Sequence, residues 1–256
     1  MKKGPRFFIA IIGLGIAFPF LTLLLFSFMK GWFFPSISPT TWTLDYWIQL
    51  FQVEGELLQT SLTSILISIF VAFVSTLLGF FLGKWMATHP WRKWWLLLAY
   101  FPFVLSPVIL AAGIQFFFIK FGLSGNFLGV LIAQLLIALP YAIIIYNGFW
   151  SPSMLDREKL ARTLGGTAWQ AFWRVSIPLS SGVILVVFFQ TFLISWFEYG
   201  LTRLIGLGKV KTLTIQVFQF VTETNIFLAA LSGVLLVVPP LILLWVNKRF
   251  VINQWI

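Results

Sequence analysis

The chain has 256 residues, is 60% hydrophobic and only 9% charged, and has a mean hydropathy of +0.98. Soluble domains carry about 25% charged residues, so the composition excludes a water-soluble globule and reads as an all-α polytopic membrane protein. The apolar runs are continuous rather than alternating, which argues against a transmembrane β-barrel. The net charge of +10 does not signal nucleic-acid binding, because the cations sit in short clusters between apolar runs, the pattern that orients a chain in a membrane. Cysteine is absent, which excludes disulfides, thiol catalysis and Cys-ligated metal. The single histidine, His89, reads as a polar loop residue, so neither a metal site nor a cofactor is expected.

In chain order, Lys2, Lys3 and Arg6 precede an apolar run over residues 7–29. A secretory signal has a shorter apolar core of about 7–15 residues and a small-residue cleavage site, so this run is read as a retained first span, with Pro19 as a kink. Residues 30–56 are more polar, and residues 44–51 suit a short amphipathic helix. The second span is 57–83, and Gly79 and Gly83 within it form a small-xxx-small pattern that permits close helix packing. The third is 94–119, with Pro102 and Pro107. The fourth is 128–150, with Pro140. A polar loop, 151–180, leads to the fifth span, 181–204. The sixth is 226–246, with Pro239 and Pro240, and Lys248 and Arg249 follow.

Six spans put both termini on one side. That side would hold twelve of the 17 Lys and Arg residues and the other side five. The positive-inside rule then makes the termini and the 151–180 loop cytoplasmic. No internal repeat is visible, so the symmetry found in many secondary transporters has no counterpart here.

The loop is the most patterned polar stretch. It carries Arg157, Lys159, Arg162 and Arg174, and Gly165-Gly166 divides two helix-like halves. Glycine permits the sharp reversal that would fold the halves into a knob. Leu160, Leu164, Trp169, Phe172 and Trp173 give the knob an apolar face that calls for a partner. The alternative partner is a lipid surface, which basic and aromatic residues also suit.

Residues 159–178 resemble the cytoplasmic loop of permease subunits of bacterial ATP-binding-cassette importers. Gly165 stands at that family's glycine, Val175 at its isoleucine nine residues on, and Ile177-Pro178 at its closing pair. Ala161 to Gly165 and Trp169 to Phe172 are similar to the family's wording as well. One departure is plain. Lys159-Leu160-Ala161 stands where the family has Glu-Ala-Ala, and Glu158 is one residue early, a rotation of about 100° on a helix. Glu198-Tyr199-Gly200, Thr212-Leu213-Thr214 and the stretch from Pro239 to Arg249 resemble the family's C-terminal third.

The resemblance implies the type I importer fold, with one transmembrane domain over 1–256 in the bacterial inner membrane. It implies partners: ATPase subunits docked through the loop, a second permease subunit that is either a copy or a relative, and a periplasmic or lipid-anchored substrate-binding protein. The implied docking residues are Glu158, Leu160, Ala161, Leu164, Gly165, Trp169, Phe172 and Pro178. A polyamine, ferric iron or a thiamine-like compound is the substrate class the C-terminal third suggests, although sulfate, molybdate and sugar permeases share the loop. The chain itself has no phosphate-binding loop, because Gly83-Lys84 and Gly208-Lys209 are followed by Trp85 and Val210 rather than Ser or Thr. It is therefore expected not to be an enzyme.

Glu198 is the one acid inside an apolar run. It reads either as a pathway residue or, slightly favoured, as a carboxylate partnered by Arg203. Gln115, Gln134, Asn147 and Gln190 are polar positions in the spans that either line a pathway or bond between helices. The reading from a different class is a transporter driven by an ion gradient. It needs buried acids or histidines, and Glu198 is the sole candidate.

Overall fold

The computed structural model describes residues 4–31, 41–50 and 56–251. The helices are α1 Gly4–Phe26, α2 Asp45–Leu50, α3 Glu56–Thr88, α4 Arg92–Val104, α5 Pro107–Lys120, α6 Phe127–Phe149, α7 Pro152–Thr163, α8 Ala168–Ala171, α9 Ile177–Trp196, α10 Gly200–Gly206, α11 Leu213–Thr222 and α12 Ile226–Val251. A π-helical turn, Phe172–Ser176, joins α8 to α9. Two short strands, β1 Met29–Lys30 and β2 Thr41–Trp42, pair antiparallel. The chain divides into two compact units, residues 1–63 with 212–241 and residues 64–211 with 242–256.

In the first unit the β1–β2 pair is continued by Phe28 stacked on Trp47 of α2, with ring centroids 5.4 Å apart. Tyr46 stacks on Phe227 of α12 at 6.2 Å. Lys30 and Asp45 form an exposed ion pair at 3.4 Å. A hydrogen bond from Thr43, and then Lys30, hold the Asp45 carboxyl below the usual range. The short helix expected over 44–51 is α2.

The second unit is centred on α6, which packs against α4, α9 and α10. Ala133, Ala138 and Ala142 are fully buried on it, and small residues let backbones approach in an apolar medium. The same logic explains Gly79 and Gly83. A Cβ at Gly79 would sit 2.6 Å from Ala142 Cβ, and one at Gly83 would sit 2.7 Å from Tyr146 Cβ. Both glycines are therefore packing positions of α3 against α6.

The chain is an all-α polytopic membrane protein. Among the described residues, four helices are long and apolar enough to cross a bilayer: 56–88, 127–149, 168–196 and 226–248. A fifth results if α4 and α5 count as one bent span. Two predicted spans need correction. The span expected over 94–119 is two helices bent by 102°. Proline disfavours helical backbone in the residue before it, and Ser106 before Pro107 is extended (φ −67°, ψ 150°). Ser106 also caps α5, its hydroxyl accepting from Ile109 N. Pro102 lies inside α4 without ending it.

The span expected over 181–204 is displaced towards the N-terminus. A continuous helical stretch runs from Ala168 to Trp196, and residues 197–199 then break it before α10. The expected span began only after the 151–180 loop; Pro178 lies inside the continuous stretch, although its missing N–H and ring normally disrupt the preceding turn. Here the π turn absorbs the proline: Ile177 N–H reaches back to Phe172 O, five residues rather than four, so the turn before Pro178 is widened.

Candidate functional site: the α7–α9 knob

The knob's shape follows from its caps. At the end of α7, Gly165 has φ +90°, a conformation that glycine adopts without strain. Gly165 N–H donates to Arg162 O at 3.1 Å and Gly166 N–H to Ala161 O at 3.2 Å, the paired bonds of a Schellman motif. A Cβ at Gly166 would fall 2.7 Å from Ala161 O, so both glycines are needed. Thr167 then starts α8 with a capping box: its Oγ1 accepts from Gln170 N at 3.2 Å and its N–H donates to Gln170 Oε1 at 3.0 Å. The reversal between the two halves is thus specified by six consecutive residues, Gly165 to Gln170.

The root of the knob is polar. Lys84 Nζ, near the end of α3, donates to both Glu158 oxygens at 2.7 and 2.6 Å. The Ser176 hydroxyl of the π turn donates to the same carboxylate at 3.1 Å. Lys84 also lies 4.9 Å above the Trp150 ring, in cation–π range, and Trp150 Nε1 donates to Phe80 O at 3.2 Å. Ser176 and Trp150 are fully buried. One carboxylate therefore ties α7 to α3 and to the head of α9. Phe172 packs between this root and the surface, 6.0 Å from Phe81 and 6.1 Å from Phe80.

The outer face is apolar and cationic. Leu160, Leu164 and Trp169 are 60%, 81% and 69% exposed, and Trp173 is about half exposed. Of the eight residues the sequence assigns to docking, Leu160, Leu164, Gly165, Trp169 and Pro178 are on the surface. Ala161 and Phe172 are half-buried. Glu158 points into the root. Lys84 and Ser176, which hold it, were given no role in the site by the sequence reading, because nothing local linked either of them to Glu158.

The polar span positions are distributed differently. Glu198 lies in the break after α9 and is buried. Its carboxylate accepts from Leu201 N at 2.7 Å, Thr202 N at 2.9 Å and Thr202 Oγ1 at 2.6 Å. The partner is thus the first turn of α10, not Arg203, since orphan helix N–H groups take a carboxylate well. Gln134 Nε2 donates to Thr202 Oγ1 at 2.9 Å, and Gln134 Oε1 accepts from Ser195 Oγ. Asn147 is held by Arg92, whose Nε donates to Asn147 Oδ1 at 3.0 Å and whose Nη2 donates to the Asn147 carbonyl at 3.4 Å. Gln115 and Gln190 are half-buried. In the first unit, Gln216 and Thr212 of the α11 segment are buried, and their side-chain polar atoms have no partner among the described residues. The sequence reading named Thr212 only within the family resemblance and did not single out Gln216, since polar residues in a short apolar helix carry no orientation signal of their own.

Residues 75–251 match the family described as "Binding-protein-dependent transport system inner membrane component". The molybdenum transport system permease protein ModB of Mycobacterium tuberculosis is 31% identical over 212 residues, covering 74% of this chain and 80% of that protein. The sulfate transport system permease protein CysW of Synechocystis is 29% identical over 145 residues, covering 51% and 52%. In structure, the chain resembles a chain of a bacterial alginate ABC transporter crystallised with an alginate pentasaccharide-bound periplasmic protein. The TM-score there is 0.68 at 16% identity, covering 96% of this chain and 92% of the other. With a family match over most of its length and a permease relative across three-quarters of it, this chain belongs to the binding-protein-dependent permease family, as a transmembrane subunit of the type I ATP-binding-cassette importer class.

Proposed function

We propose that this chain is the pathway-forming subunit of an ATP-driven importer in the bacterial inner membrane, and that the α7–α9 knob docks the ATPase. The observation that carries the docking role is the knob itself. It is rigidly capped at its tip, bolted at its root to α3 and α9, and apolar on the face turned to solvent. Leu160, Ala161, Leu164, Gly165, Trp169, Phe172 and Pro178 form or support that face, and Glu158 sets the knob's position from beneath. Hydrolysis belongs to a separate polypeptide. ATPase closure would push on the knob, and the Lys84–Glu158–Ser176 cluster would pass the displacement to α3 and α9.

The full assembly in this reading has two permease subunits, like or unlike, two ATPases on the cytoplasmic side and a substrate-binding protein, periplasmic or lipid-anchored, on the other. The whole of 1–256 acts as one transmembrane domain of six spans: α1, α3, the bent α4–α5 pair, α6, α8–α9 and α12. Both termini are cytoplasmic. Gln115 and Gln190 are the polar positions of the second unit left to line the pathway. Asn147 and Glu198 serve packing instead. That use of Glu198 also removes the one carboxylate on which a gradient-driven mechanism would rest.

For the substrate, relatives that transport molybdenum and sulfate favour a small inorganic oxyanion over a polyamine, ferric iron or a thiamine-like compound. The test is co-purification and uptake together. The intact chain, solubilised from its native membrane, is expected to recover an ATPase that Leu164→Asp loses, with the variant still inserted at normal abundance. Cells carrying the system should accumulate labelled molybdate or sulfate in competition with each other. Retention of the ATPase by Leu164→Asp would sink the docking face; uptake indifferent to both oxyanions would sink the substrate class.

A further inference from the structure

The knob sorts its charges by direction. Of its two carboxylates, Glu158 is turned into the root and neutralised there by Lys84. Asp156 is exposed and holds only a surface pair with Lys159 at 3.0 Å, a kind of contact worth little and easily exchanged. The cations go the other way. Lys159 and Arg162 flank a shallow depression of about 430 Å³ completed by Thr163, Gly166, Thr167 and Ala168. Arg162 has no ion pair among the described residues. Leu164, which follows the lining residue Thr163 in the chain, is the most exposed large apolar side chain of the knob.

We infer that this depression is a carboxylate receptor, and that the surface docking on the knob presents an Asp or Glu there, seated between Lys159 and Arg162 beside the apolar contact of Leu164. The inference rests on the docking role proposed above and adds the chemistry of the partner. Two cations a few residues apart on a solvated surface repel each other, and an opposing carboxylate removes that repulsion while contact with Leu164 excludes water. An arginine favours a carboxylate in particular, because its planar fork offers two parallel N–H donors. The one-residue shift that places Lys159 on the outer face and Glu158 on the inner one is what makes the receptor positive.

The experiment uses the complete chain in nanodiscs with the ATPase recovered from its own membrane, identified by nucleotide binding. Arg162→Glu is expected to weaken association on the order of tenfold at low salt, with the difference shrinking as salt shortens the screening length to about 3 Å near 1 M. A zero-length carbodiimide, which joins an amine to a carboxylate, should link Lys159 to an Asp or Glu of the ATPase. Lys159→Arg should keep the association and lose that link. Equal affinity of wild type and Arg162→Glu at every salt concentration, or a complex with no link at Lys159, would overturn the inference while leaving docking intact. Loss of binding to vesicles of anionic phospholipid with ATPase affinity unchanged would overturn it in favour of a headgroup. Failure of the wild-type chain to bind the ATPase at all would overturn the docking role itself.

Discussion

At the scale of single residues, the Glu158 carboxylate decides how the knob is held. It accepts three hydrogen bonds from two side chains, Lys84 twice and Ser176 once. A half-buried charge left without such partners would cost more than the pair contributes. Lys84→Glu places two carboxylates at the root and is expected to lower stability by about 2 kcal/mol, read as a fall of several degrees in unfolding temperature in detergent. The swap Lys84→Glu with Glu158→Lys should restore part of the loss, because the ion pair is remade while the cation–π contact of Lys84 with Trp150 is not. An unshifted transition in the single variant would show that the pair is not a structural tie. Uptake, measured at equal abundance, should fall in the single variant and recover in the swap. A residue that only filled space would not show that recovery.

At the scale of elements, helix breaks organise the second unit. The α9–α10 break is stabilised by Glu198, which supplies acceptors to the first turn of α10 in place of the missing carbonyls of a preceding turn. Gly200 starts α10 because a Cβ there would fall 2.8 Å from Val108 Cγ2 of α5. Glu198→Gln exchanges one acceptor oxygen for a donor NH₂ that faces the N–H groups of Leu201 or Thr202. The expected outcome is a loss of about 1–3 kcal/mol in thermal unfolding, with the order of preference among transported substrates unchanged. A changed preference at unchanged stability would return Glu198 to the pathway. Much of this level was legible in the sequence. The Schellman glycines and the Thr167–Gln170 box lie within a few residues of each other, whereas the Ser106-Pro107 stop was read through as part of one span over 94–119. The π turn was not legible, since nothing local distinguishes a proline absorbed by a widened turn from one that ends a helix.

At the scale of the whole molecule, the asymmetry of Lys and Arg carries the proposed orientation of the chain. The absence of cysteine allows a direct check, because a single introduced cysteine is labelled without background. Thr163→Cys on the knob and Lys120→Cys at the end of α5 are both exposed positions. A membrane-impermeant maleimide is expected to label Thr163→Cys only from the cytoplasmic side and Lys120→Cys only from the opposite one. Labelling of both from one side would refute the six-span topology, which places one span, α6, between the two sites.

The sequence by itself determined the membrane class, the apolar helices, the position of the knob and the family resemblance, because these rest on composition and on patterns that repeat within one or two turns. Which charges face inward was decided only by tertiary structure. Lys84 and Glu158 are 74 residues apart, and Gln134 and Thr202 are 68 apart. No local periodicity connects such positions; they meet because small residues on α6 and on α3 let the helices approach. In an apolar medium each buried polar group must then find its partner on whichever helix has been brought within reach.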